Sequence, residues 1–145
     1  MKTRPLALEA QHVVRPWIVA WFGGSILGII NGTIRELTFK DQMGEQAANY
    51  ISTGTLIVLL TVYMWLLERR WPIPTRGTAL RIGAYWVALT IIFEFGFGHY
   101  VDGKSWADLL NNYNLTDGQP WVLVLVWMAV APTVVSRAVG TGRQV

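Results

Sequence analysis

Four apolar stretches govern what this chain can fold into: Trp17–Ile34, Tyr50–Leu67, Ile82–Gly98 and Trp121–Val135. Each approaches the ~17–25 residues that a helix needs to cross a hydrocarbon core. Arg137 extends the last one toward Val139 by snorkelling to the headgroups. Lipid offers the backbone no hydrogen-bonding partner, so runs of this length are confined to helices that satisfy themselves. Only 14% of the residues are charged, against ~25% in a soluble domain. The expected fold is all-α: an integral-membrane, up-down-up-down four-helix bundle, with the whole chain as one domain and spans at about 17–34, 50–67, 82–98 and 121–137. The first run is longer than the apolar core of a signal peptide, and it leads into Asn31, Gly32 and Arg35 rather than a small-residue cleavage site.

The chain has no cysteine, which removes disulfides, thiol relays, covalent c-type haem and cysteine-held metal centres. No cofactor is expected. The net charge of +3 lies in the segments flanking the spans and does not point to a nucleic-acid partner.

Those flanking charges predict an orientation. Lys2, Arg4 and Arg15 precede the first span, and Arg69, Arg70, Arg76 and Arg81 border the second connection. Arg137 and Arg143 follow the fourth span, while the first and third connections carry no basic excess. Both termini are therefore expected in the cytoplasm, with the membrane expected to be a bacterial inner one. Trp17, Trp21, Trp65, Trp71, Tyr85 and Trp86 read as a cytoplasmic-side aromatic belt. Tyr50, Tyr100, Trp106, Tyr113 and Trp121 read as the outer one. Pro72 and Pro74 break the second connection into a short hairpin.

In the third connection Ser105 and Asp108 fit a weak capping box. Trp106, Leu109, Leu110 and Tyr113 follow at helical spacing, the pattern of a short amphipathic helix on the outer surface. It reads equally as a lid or as a segment merely packed on the bundle. Asp117-Gly118 then forms a turn ahead of Pro120.

Gly24, Gly28 and Gly32 make a doubled GxxxG that predicts close approach of a neighbouring helix. The same face continues to Glu36, flanked by Asn31 and Arg35. Two readings of Arg35 and Glu36 stand together: solvated helix-end charges, or part of a polar cluster. Glu94 is more demanding. Counted from Arg81 at ~1.5 Å per residue, it lies about 20 Å into a core of about 30 Å. A charge at the middle of a spanning helix costs roughly 2.5–3.5 kcal/mol on insertion scales, so a partner is needed. By depth and sign Arg35 is the expected one, and Asn31 is placed to donate a hydrogen bond. Gln42, Glu45, Gln46, Asn49 and Thr53 form a polar stripe suited to the same place. Gly96 and Gly98 allow a kink or π-bulge, and His99 is spaced to pair with Asp102. A metal held by His99 with these carboxylates finds no supporting spacing.

At "FEFGFGHYVDGKSWADLLNNYN" the chain resembles an uncharacterised bacterial family of small four-span membrane proteins, and "NGTIREL" and Trp121 fit the same pattern. The resemblance implies no activity. It implies that Asn31, Arg35, Glu36, Glu94, His99 and Tyr100 belong to one shared feature, to which the residue reading adds Gln46 and Asp102.

Three functional readings follow. The first is a binding or assembly module whose outer-leaflet cluster takes a membrane lipid, a small ligand or a partner subunit. The second is proton-coupled transport by a homo-oligomer, using Glu94 near His99. The third is an intramembrane enzyme on a lipid-like substrate with Glu94 or Glu36 as base. This last reading finds no nucleophile, because Ser25, Ser52 and Ser105 have no base at a recognisable spacing.

Overall fold

A computed structural model describes residues 6–111, 113 and 120–143. Among these the secondary structure is entirely helical: α1 (Leu6–Ile34), a π-helical turn (Arg35–Phe39), α2 (Lys40–Met43), α3 (Glu45–Arg70), α4 (Arg76–Tyr100), α5 (Trp106–Asn111) and α6 (Trp121–Arg143). Four helical segments are long and apolar enough to cross a membrane: Gln11–Thr38, Glu45–Arg70, Arg76–Tyr100 and Trp121–Val139. They overrun the sequence estimates because helices continue past the hydrocarbon into the polar boundary. The first connection, expected as a loop, is helical apart from Gly44, whose φ of 88° lies where side-chain-bearing residues are strained. The turn expected at Asp117-Gly118 lies outside the described residues.

Helices α1 and α6 each pack against both α3 and α4. The pairings that fix register are aromatic. Trp17 donates its indole N–H to the Trp71 carbonyl at 3.0 Å, and Trp86 donates to the Trp17 carbonyl at 2.9 Å. Trp21 donates to the Thr90 hydroxyl at 3.0 Å. Trp17 and Trp86 are fully buried, and Trp21 nearly so. The aromatic belt predicted for this side is thus only partly a belt. Trp65 and Tyr85 are exposed, whereas the three buried indoles form the centre of the core with Leu60, Met64 and Ile82. The reason is that a tryptophan can be buried wholly once its N–H finds an acceptor, and here each one does.

The same end is closed by the hairpin between α3 and α4. The backbone N–H of Ile73 donates to the buried Glu68 carboxylate at 3.0 Å. Thr75 caps α4 by accepting from the Thr78 N–H at 3.1 Å. Farther along, α4 and α6 meet almost backbone to backbone, since a Cβ on Gly83 would fall 2.2 Å from the Ala129 carbonyl oxygen.

That contact is testable. Gly83→Ala must push the helices apart and is expected to cost ~1–3 kcal/mol, seen as a lower midpoint of thermal unfolding in detergent. Gly54→Ala on α3, where a Cβ meets open space, should leave the midpoint unchanged or slightly raised. An unaltered midpoint in Gly83→Ala would refute the close crossing.

Candidate ligand-binding cavity

The tight end does not continue along the bundle. Gly24 still packs closely, with its absent Cβ only 3.0 Å from the Trp86 ring. One turn on, a Cβ at Gly28 would meet nothing within 4 Å, and at Gly32 only the Arg35 guanidinium at 3.9 Å. The doubled GxxxG is therefore not a continuous helix-packing seam: the first glycine packs, and the next two face a void. Past this point α1 stays joined to α3, where the Asn31 side-chain amide donates to Ser52 at 2.9 Å (carbonyl) and 2.7 Å (hydroxyl). At Arg35 the α-helix becomes a π-helix. The wider turn re-aims its side chains, and both Arg35 and Glu36 border the void.

On the opposite wall stands Glu94. Its Oε2 accepts from the Tyr113 hydroxyl and from the Trp121 indole N–H, the latter at 2.8 Å. Arg35 is not its partner: the guanidinium lies 3.4 Å from Glu36 instead. The expected Arg35–Glu94 pair is corrected accordingly. Two neutral donors, Tyr113 and the first residue of α6, serve one oxygen of the carboxylate without a second buried charge. Lys104 lines the same cavity.

Tyr113 is brought there by a stack of rings. It stacks on Phe95 (centroids 5.6 Å apart), Phe95 stacks on Trp106 (6.2 Å), and Trp106 lies flat on His99 at 3.9 Å. Ser105 caps α5 by accepting from the Asp108 N–H at 3.1 Å, as the spacing predicts. Leu109 drops against Gly98, where a Cβ would clash at 2.5 Å. α4 remains α-helical through Gly96 and Gly98, so the irregular turn foreseen there occurs on α1 instead. Gly98 is needed for the approach of α5, not for a kink.

These walls enclose a cavity of about 550 Å³, within the ~300–1,000 Å³ typical of small-molecule sites. Its deep part is apolar, with Leu56, Leu60, Trp86 and Met128, while its outer part carries Asn49, Thr53, Glu94 and Lys104. Of the residues singled out from sequence, Asn31, Arg35, Glu36, Glu94 and Asp102 line it. Gln46 is exposed and Tyr100 is 78% exposed, and neither lines the cavity. His99 sits behind the wall, where its Nδ1 pairs with the Lys104 carbonyl at 2.9 Å rather than with Asp102. The polar stripe on α3 divides similarly: Glu45, Asn49 and Thr53 line the cavity, whereas Gln42 does not. Among the described residues no group of three metal-binding side chains converges.

Sequence reasoning missed Tyr113 and Trp121 as the partners of Glu94. The available signal was their depth. Both carry an N–H or O–H donor at the same end of the bundle as Glu94, and a neutral donor can be buried there at less cost than a cation.

Comparison of the chain with protein-family models, curated proteins and solved structures returned no match. Fold and site define a class: an all-helical, multi-pass membrane protein with a cavity, apolar within and polar at its mouth, among its spans.

Burial, followed by the hydrogen bond to Glu94 and that residue's charge, pushes the Tyr113 phenol well above its ordinary value. A phenol is neutral when protonated, so the stability this supplies is fully present below the ordinary ~10 and is lost as pH climbs through the raised value. In an alkaline titration followed by phenolate absorbance, Tyr113 should stay silent below about pH 12. Tyr113→Phe should then leave the signal unchanged, whereas an ordinary phenol would take with it the share of one among five tyrosines.

Proposed function

We infer that this protein is a non-catalytic binding module of a bacterial inner membrane, which holds an amphiphilic molecule among its spans near the outer leaflet. One observation carries the reading: the cavity of about 550 Å³ changes from hydrocarbon-like at Leu60 and Met128 to charged at Arg35, Glu94 and Lys104. That gradient matches a molecule with an apolar body and a polar head. A partner helix is a poorer fit, because α1, α3, α4 and α6 all contribute walls to the space. The basic residues beside the α3–α4 hairpin support an orientation with both termini in the cytoplasm and the cavity mouth outside. The helices then alternate across the bilayer as up-down-up-down. The register of the contacts agrees, since the start of α1 meets the end of α3 and the end of α4 meets the start of α6.

Native mass spectrometry of the protein, released from its membrane in mild detergent, should show a bound amphiphile. Gly28→Leu extends a side chain into the void from a position where a Cβ has no neighbour within 4 Å, so it should remove the bound mass while keeping the unfolding midpoint. Retention of that mass in Gly28→Leu would overturn the reading.

The orientation has its own test, for which the cysteine-free chain is suited. In intact spheroplasts a membrane-impermeant maleimide should label Asp108→Cys and spare Pro74→Cys until the membrane is opened. The reverse pattern would invert the assignment.

A further inference from the structure

The polar mouth also says what kind of head it receives, an inference that rests on the binding reading above. Two of its groups are left incomplete by the protein. The Arg35 Nε is buried without a hydrogen-bond partner, and the guanidinium's contact with Glu36 is long at 3.4 Å. An orphaned guanidinium N–H calls for an acceptor, and a phosphate oxygen matches it in charge and geometry. Across the cavity, both donors to Glu94 fall on Oε2. Its Oε1 receives no hydrogen bond among the described residues, so it calls for a donor. Arg35 and Glu94 both line the cavity, so two of its walls carry a charged group whose hydrogen bonds are incomplete among the described residues.

The route of entry is visible as well. α1 and α4 are joined through Trp17, Trp86, Gly24 and the Trp21–Thr90 bond, whereas a Cβ at Gly28 would meet nothing within 4 Å. Ile29, Phe93 and Phe97 line the cavity yet are exposed on the bundle surface at 56%, 39% and 46%. Apolar residues that face both the cavity and the exterior frame a side opening toward acyl chains. The α1–α3 seam is instead tied across by Asn31 and Ser52.

We propose that the cavity takes the headgroup of a zwitterionic aminophospholipid through the α1–α4 opening, with its phosphate on Arg35 and its ammonium on Glu94 Oε1. The acyl chains remain in the side opening against Ile29, Phe93 and Phe97.

The test uses full-length protein stripped of lipid in detergent and offered defined ligands, with bound species counted by native mass spectrometry. The ligands are phosphatidylethanolamine, phosphatidylglycerol, uncharged diacylglycerol of the same chains, and free phosphoethanolamine. Wild type should prefer the ethanolamine lipid over the glycerol lipid by about tenfold or more, since a charge-assisted hydrogen bond is at stake. Glu94→Gln keeps an acceptor for Tyr113 and Trp121, and it should erase that preference. Arg35→Gln should weaken both phospholipids alike while leaving diacylglycerol unaffected. Equal binding of all three lipids would overturn the headgroup assignment while leaving the amphiphile reading intact. Binding of none would overturn both. Free phosphoethanolamine competing as well as the lipid would overturn the membrane source. Should Glu94→Gln fail to fold, the wild-type series alone decides, because a preference for phosphatidylglycerol is incompatible with an ammonium site.

Discussion

A carboxylate inside a hydrocarbon-like bundle needs hydrogen bonds, and the structure meets that need at Glu94 in a way that organises everything outward of it. Tyr113 and Trp121 both donate to one carboxylate oxygen. Tyr113 reaches it only because α5 is folded back onto α4, by the ring stack through Phe95 and Trp106 and by the seating of Leu109 on Gly98. Trp121 reaches it only because α6 begins at that depth. One acid therefore ties together α4, Tyr113 and α6. Neutral donors suit this better than a cation would, since a second buried charge carries its own desolvation penalty of several kcal/mol.

The bundle is built differently at its two ends. At one, three indoles are buried with their N–H groups satisfied, and Glu68 takes the backbone N–H of the hairpin. Further along, Gly83 lets α4 and α6 touch backbone to backbone. At the other, the Asn31 side chain ties α1 to α3, and Gly28 and Gly32 face the cavity. Rigidity at the closed end permits a void at the open one, because the helices entering the void are already fixed in register. Binding sites elsewhere follow the same rule, with the variable part carried on a rigid scaffold.

How much of this was legible from sequence depends on the kind of signal. The spans could be read because hydropathy over a long run is additive and insensitive to neighbours. The cap at Ser105 was equally plain, being local in the chain. Glu94 was marked as needing a partner and has two hydrogen-bond donors, and Asn31, Arg35 and Asp102, named with it as one polar cluster, line the same cavity. What failed was the choice of partner, since charge complementarity favoured Arg35 and the energetics of burial favoured neutral donors. The tryptophans failed for a related reason: interfacial and core indoles have the same sequence signature and differ only in whether an acceptor waits for the N–H. Gly28 and Gly32 illustrate a third limit. A small-residue stripe states that side chains are missing from a face, not whether a helix or a space occupies it.

That last ambiguity bears on whether the cavity is a site or merely loose packing. In a helix, glycine is less favourable than alanine by roughly 0.5–1 kcal/mol, so Gly28 carries a cost that no neighbouring helix requires, as nothing lies within 4 Å of its missing Cβ. Loose packing would also be expected to leave apolar walls, since a polar group facing a void loses hydrogen bonds it would keep in water. Here the outer walls carry a guanidinium nitrogen without a partner and a carboxylate oxygen that receives no protein donor among the described residues. Glycine where bulk would stabilise, next to charged groups whose hydrogen bonds are incomplete among the described residues, is the arrangement that the proposed binding role requires.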